Sequence, residues 1–523
     1  MILIMSGAFV VPEIENELGA VPPSLLPIGN RMLIELQVES LRNKFDDPIT
    51  LILPSRYVLT KFDITLFNKL DLAYLLVPDE LSLADSLMFA LKANNSENQW
   101  VRVLHGDTLI QDLPTGLDQL SIGTPQADYD WEFQFETVNK DSRVAVWSGF
   151  FAFSDKQLLE RSIALSKSNF VKAVRSYNLD FNLENIFCSS WLDFGHVASY
   201  FLSRSSITTE RSFNSINIAD GVLVKSSENV NKIKAEEYWF KNIPSNLRRY
   251  TPLFIDSGVN AQDQYFYSLE YLPFLPLNEL FVFGKNGYNF WNRQFKLIKS
   301  FLLQAKKGYK SNKISSENVH QEFTKLIEQK TIKRLDEFLD HGPKHLDTVM
   351  ARFDGKEITI RDIRDECIEK SLAARAMPAI LHGDLCLSNL LYDSRSNALK
   401  VIDPRGLTED GQLSIFGNQI YDVAKLSHSV VGLYDFIISG HYTISTDLEG
   451  FRLIEFEIDD RIEMVQRIFA AQIFDTQLKF NEVMYVVILL FLSMLPLHAD
   501  RPDRQEAMLL NAVRLYKIYV LKV

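Results

Sequence analysis

The chain has 523 residues, of which 46% are hydrophobic and 23% are charged. This length exceeds one ordinary hydrophobic core, so two or three domains are expected, and the composition excludes a disordered protein. The formal net charge of −12 argues against broad binding to nucleic acid or to anionic membranes, although it leaves room for a local basic cleft.

The cysteines and the apolar segments indicate the cellular compartment in which we expect the protein. Cys188, Cys367 and Cys386 have neither metal-ligand spacing nor a disulfide framework, so we expect a reducing, cytoplasmic environment. Residues 1–5 are apolar but few and lack a basic start, which predicts a first strand and no signal peptide. The apolar run 483–497 is too short to span a membrane. We expect it to be a buried helix, and we expect no membrane span and no nucleic-acid partner.

Strand and helix patterns alternate over the first two hundred residues. Strands are predicted at 2–6, 49–54, 72–77 and 101–104, with helices such as 33–41 and 81–91 between them. This alternation predicts an α/β domain around a mostly parallel sheet. The polar stretch 203–210 lacks strong periodicity and predicts the junction between a domain over 1–210 and a domain over 211–523.

Four segments of the first domain carry recognisable motifs. They are SLLPIGNRMLI at 24–34, His105-Gly106-Asp107 at a strand end, SGFFAF at 148–153 and WLDFG at 191–195. Together they resemble the sugar-phosphate nucleotidyltransferase family, which implies a Rossmann-like (GT-A) fold. The resemblance implies Asp107 and Asp193 as metal ligands, Gly149 at the sugar site, and CTP or UTP as the nucleotide.

The first domain also departs from that family. The segment after Ser6-Gly7-Ala8 reads FVVPEIE, which is apolar and acidic where the family has a glycine-rich loop with an arginine. Pro22-Pro23 stands where the family has a proline and its catalytic lysine, and a later Glu-Lys-Pro motif is absent before Gly149. Each loss removes several kcal/mol of transition-state stabilisation. Two alternatives stay open: an active nucleotidyltransferase, and a degenerate module in which Asp107 and Asp193 only cap strands.

The second domain contains the most informative stretch, His382-Gly383-Asp384-Leu385-Cys386-Leu387-Ser388-Asn389, followed by Val401-Ile402-Asp403. Strands are predicted at 379–381, 390–392 and 399–402. Asp384 can accept the proton of an attacking hydroxyl, and Asn389 and Asp403 can hold the Mg²⁺ ions that bridge ATP phosphates. The alternative is an ordinary turn with a helix-capping aspartate.

This layout resembles the aminoglycoside phosphotransferase and choline kinase family, whose loop reads H-G-D-x-x-x-x-N. The resemblance implies an α+β, bilobal, protein-kinase-like fold that binds ATP. Its smaller lobe is expected at 211–275 and its helical lobe at 276–523. His382 then has a supporting role in the catalytic loop.

The smaller lobe offers candidates for the ATP site. Strands 216–218 and 222–224 are joined by the turn Asp220-Gly221, and Lys225 ends the second strand. Lys225 is the best candidate for the lysine that pairs with the ATP phosphates, and Glu236, on a helix from about residue 231, is placed to pair with it. Glu237 is the next choice for the acid and Lys232 and Lys234 are rival lysines, while the alternative is that all are solvated surface charges.

Other candidates flank the ATP site and the catalytic loop. Segment 267–273, with Glu270 and Leu272, reads as the hinge that offers backbone groups to adenine in this family, and 212–215 is a weak candidate for the phosphate loop. Asp422 could brace the catalytic loop and Arg405 could face substrate, or each could form a structural ion pair. The pattern after Asp422 is helical to the end of the chain and predicts the acceptor pocket.

Three functions follow from these residues. The first is an ATP- and Mg²⁺-dependent kinase for a hydroxyl of an amino alcohol, sugar or polyol. Fusion to a nucleotidyltransferase-like domain implies, by resemblance, a role in precursors of surface or capsular polysaccharide. The second is a bifunctional enzyme that also makes a CDP- or UDP-linked product, and the third is a non-catalytic nucleotide-binding scaffold. The oligomeric state is not encoded in any of these motifs.

Overall fold

The structure, a computed structural model, describes residues 1–94, 99–125, 127, 134–135, 145–208, 215–309, 314–341, 349–353, 356–474 and 478–522. It divides into two compact units. The first contains Met1–Thr209 and Phe283–Lys285, and the second contains Glu210–Val282 and Asn286–Val523. The junction predicted at 210–211 lies outside the described residues, so the assignment of domains 1–210 and 211–523 stays a prediction.

The first unit is an α/β fold around one large sheet. The sheet order is β11-β8-β10-β6-β1-β4-β5, with β9 added to β10. Strands β6, β1, β4 and β5 are mutually parallel, whereas β10 runs antiparallel to β6 and β8. The strands are β1 (Ile2–Met5), β2 (Pro27–Ile28), β3 (Arg31–Met32), β4 (Ile49–Pro54), β5 (Leu72–Val77), β6 (Val101–His105), β7 (Thr108–Ile110), β8 (Gln119–Gly123), β9 (Gln134–Phe135), β10 (Ala145–Phe153), β11 (Glu184–Phe187) and β12 (Trp191–Asp193).

Seven helices accompany this sheet in the described part of the unit. They are α1 (Pro12–Leu18), α2 (Leu33–Arg42), α3 (Lys61–Lys69), α4 (Leu83–Ala93), α5 (Lys156–Leu165), α6 (Phe170–Phe181) and α7 (Val197–Thr208). The all-apolar strand β1 is buried along its whole length, as expected for a central strand covered on both faces. Because β1 and β6 are parallel, their carboxyl ends meet at one edge, where open α/β sheets place their ligand sites.

The predicted strands and the observed strands agree closely in this unit. β4 and β5 have the predicted bounds, and β1 and β6 differ from the prediction by one residue at one end. The stretch 203–208, which lacks periodicity in the sequence, forms the last turns of α7. The hydroxyl of Ser203 donates to the carbonyl of Asp193 (2.7 Å), and those of Ser205 and Ser206 donate to carbonyls three residues back. The serine hydroxyls therefore bond to backbone carbonyls of α7 and of the end of β12, and they provide no apolar face.

The smaller lobe of the second unit is an antiparallel sheet in the order β13-β14-β16-β15, with α8 packed on it. Asp220 and Gly221 join β13 to β14 with φ of 51° and 75°, the left-handed conformations of a tight hairpin turn. The strands of this unit are β13 (Ser215–Ala219), β14 (Val222–Ser226), β15 (Phe254–Val259), β16 (Tyr265–Glu270), β17 (Leu275–Pro276), β18 (Val349–Phe353), β19 (Lys356–Thr359), β20 (Pro378–Ile380), β21 (Leu390–Asp393), β22 (Ala398–Val401), β23 (Phe416–Asn418), β24 (Thr443–Thr446) and β25 (Arg452–Glu455).

The larger lobe is mainly helical. The helices of the unit are α8 (Val230–Asn242), α9 (Ser245–Arg248), α10 (Leu277–Val282), α11 (Tyr288–Lys307), α12 (Ser316–Thr324), α13 (Lys330–His341), α14 (Ile360–Leu372), α15 (Gln419–Val430), α16 (Tyr434–Ser439), α17 (Asp460–Ile473), α18 (Phe480–Met494) and α19 (Pro502–Tyr516). By length and composition, 480–498 is the one described helix that could cross a membrane. Its middle is buried and packs against α14, α15 and α19, so it serves as a core helix of this unit.

The fold class predicted from the sequence is confirmed: a mostly parallel α/β unit is followed by an α+β, kinase-like unit with a sheet lobe and a helical lobe. The helical pattern predicted after Asp422 was wrong at one place, where β24 and β25 form a hairpin. Its turn contains Gly450 with φ of 88°, a conformation that interrupts a helix. The candidate phosphate loop at 212–215 lies outside the described residues, except for the start of β13 at Ser215.

Candidate active site

The catalytic-loop motif leaves the end of β20 and is held by α15. The carboxylate of Asp422, in the first turn of α15, accepts hydrogen bonds from the backbone N–H groups of His382 (2.8 Å) and Gly383 (2.7 Å). Asp422 is buried, and this burial raises the pKa of its carboxyl to about 7 in spite of the two donors. The loop is thereby fixed to a helix immediately before Asp384.

Two neighbours of Asp384 explain the rest of the motif. Gly383 has φ of 82°, and a Cβ atom there would lie 2.5 Å from the Cβ of Arg405, so only glycine fits. The Nδ1 atom of His382 accepts from the backbone N–H of Asp384 at 3.3 Å. Burial lowers the pKa of His382 to about 4, so its imidazole is neutral near pH 7. His382 therefore shapes the loop and carries no charge into the site.

Replacing Asp422 with asparagine should loosen this anchor. The amide can accept only one of the two N–H groups, and the other would face an NH₂ group and lose its partner. We expect a loss of about 1–3 kcal/mol in unfolding free energy and a fall in turnover, because the loop would shift. Denaturant unfolding of the full chain measures the first effect. Asp459→Asn is the control, since asparagine caps a helix such as α17 as well as aspartate does; equal losses in the two variants would contradict this role for Asp422.

Asp384 presents an accessible carboxylate with a partner on each oxygen. The ammonium of Lys425, on α15, lies 3.0 Å from Oδ1, and the Nδ2 atom of Asn389 donates to Oδ2 at 3.1 Å. The side chain of Asp384 is 45% exposed, whereas that of Lys425 is 14% exposed. Burial favours a higher pKa for Asp384, but the Lys425 ammonium outweighs it and holds this pKa below its usual value. Asp384 is thus an oriented carboxylate that stays ionised and can meet a substrate hydroxyl.

The candidate ATP-site lysine lies in a buried charge cluster. The ammonium of Lys225, on β14, is 2.6 Å from Oε2 of Glu236, on α8, and 2.9 Å from Oδ1 of Asp403. The hydroxyl of Tyr267 donates to the same Glu236 oxygen at 2.6 Å. Burial by itself would lower the pKa of Lys225, but Asp403 and Glu236 hold it above its usual value. Lys225 and Glu236 are 2% exposed and Asp403 is 40% exposed, so only the aspartate is open to a ligand.

The structure shows which acidic residue of α8 contacts Lys225, a choice that the sequence left open. Glu237 turns away from Lys225 and accepts from Lys241 (2.6 Å), from Ser257 (2.7 Å) and from Tyr265 (2.6 Å). Lys234 lies over the ring of Tyr265. Lys232 is about half exposed and reaches Glu236 only at 4.0 Å. Glu236 is therefore the acid that Lys225 contacts.

The predicted hinge follows β16. The side chain of Glu270 accepts from the backbone N–H of Leu253 at 3.2 Å, and the carbonyl of Leu272 accepts from the N–H of Phe274 at 2.8 Å. The adjacent Tyr271 donates its N–H to the carbonyl of Gly221 (2.8 Å), which ties the connector to the hairpin turn. The Leu272 carbonyl is therefore already engaged within the connector.

Arg405 leaves the segment after Asp403 and turns to a different cluster. Its guanidinium bonds the carboxylate of Glu409, which Lys330 also contacts at 3.2 Å. Burial and the nearby Arg405 charge lower the pKa of Lys330 to about 8, although Glu409 opposes this shift. Arg405 thus shares its carboxylate with a second cation, and its backbone N–H donates to the carbonyl of His382 at 2.8 Å.

Gly406 permits the closest approach in this region. It has φ of 66°, and a Cβ atom there would lie 1.9 Å from the carbonyl oxygen of Ala235 on α8. We expect Gly406→Ala to lower the unfolding free energy by about 3 kcal/mol or more, because strain and a backbone clash combine. Gly411→Ala is the matched control: its φ is 79°, but nothing lies within 4 Å of the added atom. That variant should lose only about 1–2 kcal/mol, and equal losses on calorimetry of the two full-length variants would refute the clash.

Asn389 and Asp403 are brought together by the hairpin of β21 and β22. Leu390 pairs with Val401, and the N–H of Ile402 donates to the carbonyl of Asn389 at 3.1 Å, so Asp403 follows directly. Asp403 has φ of 56°, an uncommon conformation for a residue other than glycine and one that marks functional sites. Since Asn389 donates through its nitrogen, its amide oxygen remains as a ligand atom. Two protein oxygens completed by phosphate oxygens and water suit Mg²⁺.

The candidate residues of the first unit meet at the carboxyl edge of its sheet. Gly195 lies between Asp107 and Asp193, since a Cβ atom there would be 2.5 Å from Asp107 Oδ2 and 3.3 Å from Asp193 Oδ1. Gly149, on β10 with φ of 96°, lies against Thr108 and His105. Burial, followed by the charge of Asp193, raises the pKa of Asp107 to about 6. The sequence predicted both carboxylates at one site, and the structure places them close enough to repel each other.

The metal role predicted for Asp107 and Asp193 stays a prediction, because the observed partners of Asp193 are other protein groups. Asp193 already accepts from the N–H of Gly195 (3.1 Å) and from the hydroxyl of Ser199, and it lies 3.3 Å from Nδ1 of His196. In the described part of the chain, no group of three or more His, Cys, Asp and Glu side chains is placed to hold a metal. We therefore derive no metal-dependent step for this unit.

A cleft of about 230 Å³ lies beside Asp107. It is lined by backbone and small or apolar side chains of segment 5–11, together with Pro23, Gly106 and Gly195. Ser24 joins two of the lining segments, since its N–H donates to the hydroxyl of Ser6 (3.0 Å) and its own hydroxyl donates to the carbonyl of Gly106 (3.1 Å). The lining has no lysine or arginine, so a triphosphate would meet a carboxylate without a cation.

Comparisons with known proteins address the two units separately. No family model matches the chain, and no curated protein matches it. Among solved structures, a nucleoside-diphosphate-sugar pyrophosphorylase from Vibrio cholerae is 14% identical and covers 39% of this chain and 99% of its own (TM-score 0.32). An inositol-1-phosphate CTP transferase from T. maritima is 16% identical and covers 39% and 94% (TM-score 0.29). The GDP complex of wild-type aminoglycoside 2′-phosphotransferase-IIIa is 14% identical and covers 58% and 90% (TM-score 0.36).

Sequence reasoning missed one residue of the second site. Lys425 stands three positions after Asp422 on α15, in the stretch YDVAKL. The available signal was its spacing, because residues three apart share a helix face and Asp422 was already expected at the catalytic loop.

Proposed function

We propose that the chain is an ATP-dependent phosphotransferase that moves the γ-phosphate to a hydroxyl of a small molecule. The observation that carries the proposal is the convergence of Lys225, Glu236 and Asp403 in one cluster, next to the hairpin that links Asp403 to Asn389 and Asp384. These residues come from segments that are far apart in the chain, with Lys225 and Asp403 separated by 178 positions. Ion pairs that only stabilised the fold would not need exposed carboxylates, yet the side chains of Asp384 and Asp403 are 45% and 40% exposed.

The proposed roles follow from charge and access. Lys225, anchored by Glu236, neutralises ATP phosphates, and the connector with Glu270 and Leu272 faces the base. Asn389 and Asp403 would hold Mg²⁺, which neutralises charge on the phosphates when bound. Asp384 accepts the proton of the acceptor hydroxyl as the bond between the γ-phosphorus and the ADP oxygen breaks and the bond to the acceptor oxygen forms.

The supporting residues act on the loop. Asp422 fixes the backbone of His382 and Gly383. His382 bonds the N–H of Asp384, and Arg405 packs on Gly383 and holds the segment after Asp403. Precise placement of this kind supplies much of the rate in phosphoryl transfer, because the reaction depends on positioning and charge.

The test is a screen for ADP release by the full chain with Mg·ATP against amino alcohols, free sugars and polyols, with GTP wells beside the ATP wells. An acceptor that raises ADP release, with a phosphorylated product in equal amount, supports the proposal. No acceptor-dependent ADP from any of the three classes, and no slow ADP release to water, would contradict it.

The cleft beside Asp107 favours a second, separate candidate function for the first unit, which is binding a nucleotide or nucleotide-linked product, such as a CDP- or UDP-linked alcohol. Its lining lacks a phosphate clamp, so binding without turnover is expected. Incubation with CTP or UTP and the phosphorylated acceptor decides: pyrophosphate release would show a bifunctional enzyme. A phosphorylated alcohol or sugar, or a CDP- or UDP-linked product, would support a role in the synthesis of surface-polysaccharide precursors.

A further inference from the structure

Lys425 is the nearest cation to the catalytic carboxylate. Its Nζ atom is 3.0 Å from Asp384 Oδ1, while Asn389 bonds the other oxygen, Oδ2. The lysine side chain is 14% exposed and the aspartate is 45% exposed. An ammonium is therefore held mostly out of water beside a carboxylate that is open to substrate.

The position of this ammonium is fixed by the same helix that fixes the loop. Asp422 and Lys425 are three residues apart on α15 and so lie on one face. Asp422 bonds the backbone at His382 and Gly383, and Lys425 bonds the side chain of the next residue, Asp384. Consecutive loop residues are thus matched to consecutive positions on one helix face, and the helix that anchors the loop backbone also carries the ammonium that pairs with Asp384.

A purely structural ion pair accounts poorly for this arrangement. A pair with a half-exposed partner adds little to stability, and burial of a lysine head group opposes even that gain. A cation on Asp384 also makes the carboxylate a poorer base, which would be a disadvantage if proton acceptance were its only purpose. The arrangement needs a benefit that outweighs both costs.

Phosphoryl transfer supplies that benefit. A hydroxyl bonded to Asp384 lies about 2.6–3.2 Å from it, and the phosphorus approached by that hydroxyl lies about 3–3.5 Å further on. The anionic phosphoryl group is thereby brought close to an anionic carboxylate. An ammonium 3.0 Å from that carboxylate has three N–H donors, so donors beyond the one on Asp384 remain for an oxygen of the transferred group.

We propose that Lys425 is a catalytic residue whose ammonium bonds the transferred phosphoryl group while it pairs with Asp384. This inference rests on the proposed phosphotransferase function. The bond from the γ-phosphorus to the ADP oxygen breaks, the bond to the acceptor oxygen forms, the hydroxyl proton passes to Asp384, and Lys425 keeps its protons throughout.

The test compares Lys425→Met, Lys425→Gln and Lys425→Arg in the full chain. Both neutral variants should lower kcat about 10²–10³-fold, the usual effect of removing one group that stabilises transition-state charge, with the Kd of Mg·ATP within threefold of wild type. Lys425→Arg keeps the charge and should be at least about tenfold faster than Lys425→Met. ADP release from Mg·ATP is measured with water and with the acceptor panel, so an unidentified acceptor does not prevent the measurement.

A double variant separates direct contact from an effect through Asp384. If Lys425 bonds the phosphoryl group itself, Asp384→Asn with Lys425→Met is at least tenfold slower than Asp384→Asn alone. Equal rates for these two would overturn direct contact, because the lysine would then act only by orienting the aspartate. Neutral Lys425 variants with wild-type kcat would also overturn the proposal.

Lys400→Met is the matched control. Lys400, on β22, bonds the carbonyl of Thr251 at 3.0 Å and should leave kcat unchanged when replaced. Melting temperatures report whether each variant is folded, and if Lys425→Met is not, Lys425→Gln carries the comparison. Wild-type chain that releases no ADP to water or to any acceptor would reject the phosphotransferase function and this inference together, whereas active wild type with active neutral variants rejects this inference alone.

Discussion

Replacing Asp384 with alanine is expected to abolish phosphoryl transfer while leaving nucleotide binding nearly intact. The carboxylate acts on the acceptor hydroxyl, so its loss removes an interaction made mainly in the transition state. Loss of a positioned general base costs about 10²–10⁴ in rate, and the unpaired ammonium of Lys425 would remain at the site. The measurements are kcat from ADP release and the Kd of Mg·ATP, with the Kd expected within threefold of wild type.

Asp410→Ala is the control for this variant. Asp410 is 52% exposed and pairs with Lys325 at the surface of the same unit, so its removal should leave kcat unchanged. An Asp384→Ala protein that turns over at the wild-type rate would show that the catalytic carboxylate has been assigned to the wrong residue. A Kd that weakens in parallel with kcat would instead point to a role in holding the nucleotide.

Replacing Asp403 with alanine is expected to weaken Mg·ATP binding as well as turnover. Asp403 is the exposed member of the cluster with Lys225 and the carboxylate that would hold Mg²⁺ together with Asn389. Its loss removes a metal ligand and releases Lys225 to pair with Glu236 alone. We expect the Kd of Mg·ATP to rise about tenfold or more and kcat to fall about 10²-fold or more.

Magnesium titration makes this second result specific. If Asp403 holds the ion, the variant should need a higher Mg²⁺ concentration for half-maximal activity, whereas Asp384→Ala should not change the Mg²⁺ dependence of nucleotide binding. Asp393→Ala, at the end of β21, is the control, because its carboxylate accepts hydrogen bonds from Arg395 and Ser396 in the turn to β22. Unchanged Mg·ATP affinity in Asp403→Ala would count against the metal role.

The two variants together distinguish the proposed enzyme from a nucleotide-binding scaffold. A scaffold has no turnover to lose, and only Asp403→Ala would then change a measurable property. In a phosphotransferase both variants lose kcat, and they separate on Kd. The first unit stays unchanged in both experiments, so binding of CTP or UTP to it can be measured in the same proteins as an internal reference.

Much of the fold could be predicted from local sequence because its signals are local. The strand pairs around Asp220-Gly221 and around 393–397 follow from alternating apolar residues and turn residues, and both hairpins are present. The apolar strands 49–54 and 72–77 have the predicted bounds. The serines of segment 203–208 bond carbonyls one turn back and leave no periodic apolar face, so the helix that they form gave no periodic signal in the sequence.

The candidate site was predicted unevenly, and the difference has a physical cause. The choice between Glu236 and Glu237 depends on which way the helix faces, and adjacent helical residues point roughly 100° apart. The side chain of Glu236 is 2% exposed and contacts Lys225, whereas that of Glu237 bonds Lys241, Ser257 and Tyr265. No local pattern sets that rotation, because it results from the packing of α8 on the sheet.

The sequence by itself determined the motif at 382–389 that we propose as the catalytic loop, the strands on either side of it and the order of an α/β unit before an α+β unit, since these depend on motif spacing and on periodicity within single elements. Only the tertiary structure decided that Lys425 reaches Asp384, that Lys225 contacts Asp403 across 178 positions, and that Asp107 lines a cleft whose described lining contains no lysine or arginine. Those contacts join elements far apart in the chain. They are set by how side chains pack and by which charges are removed from water, and neither is encoded in the spacing of residues along one strand or helix.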